Sequence, residues 1–381
     1  MDLDSVPQFW AGRPIWIASW RMGSGGLAVG RITYDILRTF WFKLETDAPK
    51  REKEEADFPI LSMSQSEFRA RRFCLMGDYW RGTLMALSTA FIWGPTGAIA
   101  KMISSTGLSQ ITVVAYRAVA ISLVVACWLL ARRGISAFRV SKGMLGVYGI
   151  LGILTIIFNA TGFMMACVYL SVPQVLMLGY TSPIVTMAGS SFFTKERPTS
   201  IQVLSGFLVL LGLYVGFVMG SKTDFSVSPV GLAWGCLSVV GASGQALLSR
   251  RVSKTALPDP LLQLFFSHLL GGFVLISARS LLTGWPDLAA LTPRGFALIQ
   301  YPALLSGLLG YGLLFSALRL IPASLVTLIC TLEIVFALMM TPLLVRQIPT
   351  TNEIAGCAVI LFAVACSVAT RRSTSPDLSG A

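Results

Sequence analysis

Charge is what this sequence has least of. Only 13% of its 381 residues are Asp, Glu, Lys or Arg, and a soluble chain of that length needs far more charge to cover its surface. There is a single histidine, His268. The seven cysteines (Cys74, Cys127, Cys167, Cys236, Cys330, Cys357 and Cys366) form no CxxC or Cys/His spacing. Neither a zinc site nor a disulfide framework is indicated, and helix packing is their ordinary use. No GxxxxGK[ST] loop occurs, which excludes a phosphate-cradling, ATP-hydrolysing module of the chain's own. Intramembrane enzymes gather several His, Asp, Glu or Cys residues at one depth; one histidine and one deeply placed carboxylate argue against catalysis. No metal or other cofactor is indicated.

Apolar residues are abundant instead, at 54%. They run in ten stretches, near 84–103, 110–131, 145–167, 172–193, 201–219, 229–249, 261–282, 298–318, 323–345 and 354–370. Each approaches the length a helix needs to cross the hydrocarbon layer. Prolines within or at the edges of them (Pro95, Pro173, Pro183, Pro302, Pro322, Pro342) argue against strands and are tolerated in membrane bundles. The expected fold is an all-α membrane protein of ten transmembrane helices. Pro173 and Pro322 read as first-turn residues, whereas Pro183, mid-span, is expected to kink its helix. Gly212 and Gly216 form a GxxxG pair suited to close helix contact.

The chain also repeats itself. Residues 167–206 return, offset by about 150 positions, as 317–356: TyrThrSerProIleVal (180–185) answers CysThrLeuGluIleVal (330–335), and both blocks continue to a Pro-Thr and then a glycine. Duplicated polytopic proteins are typically transporters with a site between their halves. Five helices per repeat is odd, so the second repeat is expected to enter the bilayer inverted. With the first helix running outward, the cytoplasmic connections hold twelve basic residues, among them Arg132, Arg139, Arg250, Arg251, Lys254 and Arg319, against Lys222, Arg279, Arg294 and Arg346 outside. That imbalance places both termini in the cytoplasm. It also assigns the net charge of +12 to loops held against anionic lipid, so no nucleic-acid partner is needed.

Residues 1–82 differ, with 12 basic and 11 acidic side chains and no long apolar run. They read as a disordered cytoplasmic extension. Two explanations stay open: a natural start at Met76, or an interfacial arm that uses Trp10, Trp16, Trp20 and Trp41. The remaining divisions are a first repeat over 83–219, a linker over 220–228, a second repeat over 229–370 and a cytoplasmic tail over 371–381.

Residues 90–101, from Ala90 through Trp93-Gly94 to Lys101, together with Arg117, the 181–206 block, 249–252, 317–324 and Leu332-Glu333-Ile334, resemble the EamA-type drug/metabolite transporters, over about residues 82–370. In place of the Leu-Glu-Pro element common there, this chain has Thr181-Ser182-Pro183 in one copy and Leu332-Glu333-Ile334 in the other. The resemblance implies ten helices around a central cavity and a small-molecule substrate such as an amino acid, another metabolite or a drug. The expected function is secondary transport in a bacterial cytoplasmic membrane, proton-coupled or by exchange. The alternative is a membrane sensor that binds without transporting. Oligomeric state is not legible.

Nine residues are candidates for the pathway. Glu333 falls near the bilayer centre, where a carboxylate facing lipid costs about 2.5–3.5 kcal/mol; it reads as a proton relay, a counter-charge for a cation, or a structural carboxyl. Arg117, also deep, reads as a partner for Glu333 or as a receptor for a substrate carboxylate. Lys101 is a third charge, able to snorkel. Trp93, Tyr180 and Tyr311 suit stacking on flat or cationic ligands, or simple packing. Asn159 and Gln245 suit a polar cavity or interhelical hydrogen bonds, and His268 a proton-sensing or backbone-bonded position.

Overall fold

The structure, a computed structural model, describes residues 65–170, 172–219, 228–255, 259–344 and 350–373; the side chains of 65–76, 101, 172–173, 217, 341–344 and 371–373 lie outside the description. Residues 1–64, most of the expected linker and the end of the tail therefore lie outside the described residues. Within them the chain is helical, with no strand.

Among the described residues thirteen α-helical pieces follow in order, besides two short 3-10 helices, Ile135–Phe138 and Pro286–Ala290. Helix α1 (Gln65–Trp93) and α2 (Thr96–Ser104) form one path, interrupted at Gly94-Pro95. α3 is Gln110–Arg133 and α4 is Lys142–Tyr169. Two short helices come next, α5 (Val172–Gly179) and α6 (Ser182–Phe193), then α7 (Ser200–Leu213). α8 (Pro229–Thr255), α9 (Pro260–Leu282) and α10 (Pro293–Leu320) are long. α11 (Ala323–Cys330), α12 (Glu333–Leu344) and α13 (Thr351–Ser373) close the series.

Eight apolar helical stretches of 18 to 28 residues are long enough to cross a bilayer; Ser200–Gly216 is shorter, and α5 and α6 are each too short alone. Their outward faces carry exposed Phe192, Phe207, Phe273, Leu281 and Phe362, as lipid-facing surfaces do. The expected disorder of 1–82 is corrected over its last part, because α1 reaches back to Gln65. Residues 65–76 contain neither Gly nor Pro, and nothing local stops the helix there.

The duplication is visible in backbone chemistry. In each copy a helix breaks at the same place, and the same side chain makes the break. Thr181 Oγ1 donates to the Leu178 carbonyl at 2.6 Å, and Thr331 Oγ1 to the Leu328 carbonyl at 2.7 Å. The two threonine amides tighten onto those same carbonyls at 3.1 and 3.2 Å. Such side-chain bonds to backbone compete with the regular helical ladder. Pro183, expected to kink a continuous helix, instead lies in the first turn of α6, where a missing amide donor costs nothing. Pro322 is the N-cap of α11 rather than its first-turn residue.

A second matched device restarts the chain after each broken helix. Thr199 and Gln202 form a reciprocal capping box at α7. Thr350 and Glu353 do the same at α13, with the Thr350 amide 2.7 Å from Glu353 Oε2 and the Glu353 amide 3.3 Å from Thr350 Oγ1. Each box satisfies amides that open a helix and would otherwise lack acceptors.

Small residues set the helix crossings. A Cβ on Gly356 would lie 2.7–2.8 Å from the backbone of Gly216, and one on Gly212 would lie 2.7 Å from the Gly356 carbonyl, so the GxxxG pair of the α7 end packs directly on α13. Gly152 of α4 meets the Gly271 backbone of α9, and Gly162 of α4 meets Ser238 of α8. These contacts hold α4 close against both helices.

Candidate functional site

Tyr311 is the centre of the polar interior. It lies where α10 leaves a π-helical stretch, Tyr301–Gly310. A second π-helical stretch, Ile153–Thr161, carries Asn159 on α4. Wide turns of this kind recur at functional sites, because they shift side chains around the helix and loosen backbone carbonyls. Here the carbonyl of Ser306 accepts from Trp93 Nε1 at 3.0 Å, and that of Gly310 from Thr89 Oγ1 at 3.3 Å. Helix α1 is thereby strapped to the widened segment. Gly310 has no room for a side chain, since a Cβ would strike the Trp93 indole.

Four of the candidates meet at the Tyr311 ring. The Trp93 centroid is 5.2 Å away, the Arg117 guanidinium carbon 5.3 Å and the His268 ring 5.6 Å, edge-on at 79°. Asn159 Nδ2 donates to the Tyr311 hydroxyl at 3.2 Å, and its other amide atom accepts from Ser238 at 3.3 Å. Arg117, His268 and Tyr311 are buried, and Trp93 is half-buried. These groups come from α1, α3, α4, α9 and α10.

Tyr180 and Glu333 form a separate pair. The Tyr180 hydroxyl donates to Glu333 Oε1 at 3.1 Å, which joins the break of one repeat to the first turn of α12 after the break of the other. A carboxylate at a helix N-terminus is favoured by the unpaired amides there. The expected pairing of Arg117 with Glu333 is not made: no ion pair joins them among the described residues. Gln245 is buried on α8, but no described bond connects it to the Tyr311 group, and its Oε1 has no partner. Lys101 lies on α2, with its side chain outside the description.

Two charged clasps flank this interior, and neither was expected from the sequence. At one end Asp287 accepts from the Ser109 amide at 2.9 Å and from Thr112 Oγ1 at 2.5 Å, and it pairs with Arg279. Arg279 also donates to Ser109 Oγ at 2.9 Å and covers the Trp285 ring. At the other end Arg250 grips Glu196 Oε1 through Nε at 2.9 Å and Nη2 at 2.7 Å, and it donates through Nη1 to the Leu318 and Arg319 carbonyls at 3.0 Å. Lys254 adds an ion pair to Glu196 at 3.3 Å and a bond to the Thr194 carbonyl at 3.0 Å. Lys195, with φ of 55°, turns the chain left-handedly so that Glu196 faces α8.

Arg250 and Arg279 are thus corrected from exposed loop charges to buried, paired ones. Glu196 reaches Arg250 from 54 residues away; Asp287 is only eight residues from Arg279, but its other partners, Ser109 and Thr112, come from α3 and the residue before it. Burial alone would raise the Glu196 carboxyl, but the hydrogen bonds and charge of Arg250, with Lys254, hold it below the ordinary carboxylate range. Burial likewise works to raise Asp287, and Thr112, the Ser109 amide and Arg279 outweigh it. One small apolar cavity, about 70 Å³, is lined by Leu108, Val113, Tyr116 and Phe296 near the Asp287 clasp. Among the described residues no group of three His, Cys, Asp or Glu side chains is placed to hold a metal ion.

Comparisons with known proteins bear on the fold and its duplication. An inner membrane transporter of Escherichia coli K12, YhbE, itself uncharacterized, is 28% identical over 280 residues, spanning 69% of this chain and 81% of YhbE. The Shigella flexneri YhbE matches to the same extent. A solved crystal structure shares the fold with a TM-score of 0.63 at 17% identity, over 77% of this chain and 99% of that one. The EamA-like transporter family model matches twice, at residues 80–218 and 229–369, once for each copy of the broken helix. The chain belongs to the EamA-like transporter family.

Proposed function

We propose that this protein is a secondary transporter that moves a small organic solute across a bacterial cytoplasmic membrane by alternating access between its two repeats. The observation that carries this reading is the matched pair of helix breaks at Thr181 and Thr331, bridged by the Tyr180–Glu333 hydrogen bond. Discontinuous helices at corresponding places in two repeats are where transporters of this general kind form their sites. Counting α5 with α6, and α7, as crossings brings the total to ten, five per repeat. Five per repeat inverts the second repeat, ten in all put both termini on one side, and the excess of basic residues in the connections on that side makes it the cytoplasm. The Asp287–Arg279 clasp then faces outward and the Glu196–Arg250 clasp faces the cytoplasm, so a seal stands at each end of the pathway. Glu333, the acid at the break, is the group that exchanges a proton or balances a cationic part of the solute.

The test is a thermal-shift screen of the purified chain in detergent against amino acids, nucleosides and cationic drugs, with hits carried into proteoliposomes. A solute that both stabilises the protein and crosses the bilayer supports transport; stabilisation without movement favours a sensor. For coupling, Glu333→Gln is expected to abolish gradient-driven accumulation while leaving solute exchange intact. An unchanged pH dependence in that variant removes Glu333 from the coupling step.

A further inference from the structure

Three arginines in the described structure are nine-tenths or more buried: Arg117, Arg250 and Arg279. Two of them hold an acid, Glu196 for Arg250 and Asp287 for Arg279. Arg117 does not. The acids whose side chains are described are Asp78, Glu196, Asp259, Asp287, Glu333 and Glu353, and all are engaged elsewhere: four in ion pairs with other residues, Glu333 with Tyr180 and Glu353 with Thr350. Arg117 is 4% exposed, and its Nε and Nη2 have no hydrogen-bond partner.

Those two atoms are the informative ones. Nε–H and Nη2–H form one edge of the guanidinium plane and point in parallel, the arrangement that matches the two oxygens of a carboxylate. Tyr311 gives that edge no hydrogen-bond acceptor: its ring centroid lies 5.3 Å from the guanidinium carbon, and its hydroxyl takes the Asn159 amide. An arginine kept only for the ring contact would bury an unsatisfied charged edge at considerable cost. The absent side chain of Gly307 lets α10 close onto the arginine's stem: an added Cβ would lie 3.0 Å from Arg117 Cγ and 2.6 Å from Ile121 Cδ1.

We infer that the Nε/Nη2 edge of Arg117 is a carboxylate subsite, and that the solute is a small organic acid or zwitterion bound by its carboxylate against the Trp93–Tyr311 aromatic wall. One negative charge balances the single guanidinium. A phosphate dianion would bring a second charge that no other described cation at Tyr311 receives. His268 donates through Nδ1 to the Leu264 carbonyl at 3.0 Å, so in the neutral imidazole Nε2, unpartnered, presents a lone pair. That lone pair suits a hydroxyl or amino donor on the same solute. Trp93 and Tyr311, tilted by 54°, offer apolar surface to its body. The inference deepens the transporter reading by naming a substrate class, and rests on that reading only for what binding is used for.

The experiment compares each of three acids, acetate, benzoate and indole-3-acetate, with its primary amide, by ligand-induced thermal shift of the full chain in detergent at constant ionic strength. At least one acid is expected to stabilise the protein more than its amide. Arg117→Lys, which keeps the charge and loses the fork, should weaken that acid by roughly tenfold or more, and Arg117→Gln should remove the acid preference. Equal shifts from acids and amides in the unsubstituted protein overturn the inference, even if the variants do not fold. So does an acid preference retained by Arg117→Gln. Counterflow in proteoliposomes separates the two readings. An acid that binds through Arg117 but never crosses leaves the subsite standing and removes transport. Neutral or cationic solutes that cross at an unchanged rate in Arg117→Gln leave transport standing and remove the subsite.

Discussion

Glu196 gives the sharpest quantitative test of how the bundle is held together. Its carboxylate accepts two bonds from Arg250, at 2.9 and 2.7 Å, and both side chains are about 11% exposed. Removing one member of a buried pair leaves the other charge uncompensated, at about 3–5 kcal/mol. Arg250 keeps the Leu318 and Arg319 carbonyls, which holds Glu196→Ala near the low end, about 3 kcal/mol. Glu196→Gln keeps a neutral acceptor in the same shape and should lose about 1–2 kcal/mol, since hydrogen bonds to charged groups exceed neutral ones by about that amount. At about 2 °C per kcal/mol for a large chain, thermal unfolding in detergent should fall by about 6 °C for Glu196→Ala and about half that for Glu196→Gln.

The pH dependence has a definite sign. Glu196 is held below its ordinary range in the folded protein, so its contribution is fully present above the unfolded carboxylate pKa and disappears as pH falls through the lowered folded value. The gap between the unsubstituted protein and Glu196→Gln should therefore be constant near neutrality and close below about pH 4. Unfolding temperatures that match the parent at neutral pH, or a gap that widens in acid, refute the buried clasp. A double-mutant cycle with Arg250→Met should return a coupling of at least about 1 kcal/mol, and zero coupling would refute the pairing directly.

Two further expectations follow from packing and topology. Gly356→Leu places a side chain where a Cβ alone would meet Gly216 backbone at 2.7–2.8 Å; backbone cannot give way as a flexible side chain does, so the α7–α13 crossing should open and stability fall by about 1–3 kcal/mol or more, read as a lower unfolding temperature, while Gly77→Leu, with open space around it, should be neutral. In a background with the seven native cysteines replaced, Lys222→Cys should label only from outside and Arg139→Cys only from the cytoplasm. The reverse pattern contradicts the proposed orientation.

Much of the fold is written along the chain because its causes are local. Apolar stretches of membrane length declare themselves without reference to any partner, since the cost of transferring a helix into lipid adds up residue by residue. The duplicated Thr181 and Thr331, and the Pro-Thr starts at 198–199 and 349–350, are also local devices, whose bonds reach residues only three positions away. Even so, Pro183 looked like the source of a kink, because a proline is conspicuous and a threonine bonding back three residues is not. Of the candidate site residues, Trp93, Arg117, Asn159, His268 and Tyr311 converge, while Gln245 joins no described contact of that group.

Membrane residence, helical class and internal duplication were determined by the sequence itself, through hydrophobic length and repetition. Only the tertiary structure decided which charges are buried and which of those are paired. Along the chain Arg250 and Arg279 read as loop charges and Arg117 as a deep one, yet all three are buried, and only the first two hold acids. Coulomb attraction depends on distance in space and on the local dielectric; packing brings Glu196 to Arg250 from 54 residues away, and it buries the Arg279–Asp287 pair, eight residues apart, against Ser109 and Thr112.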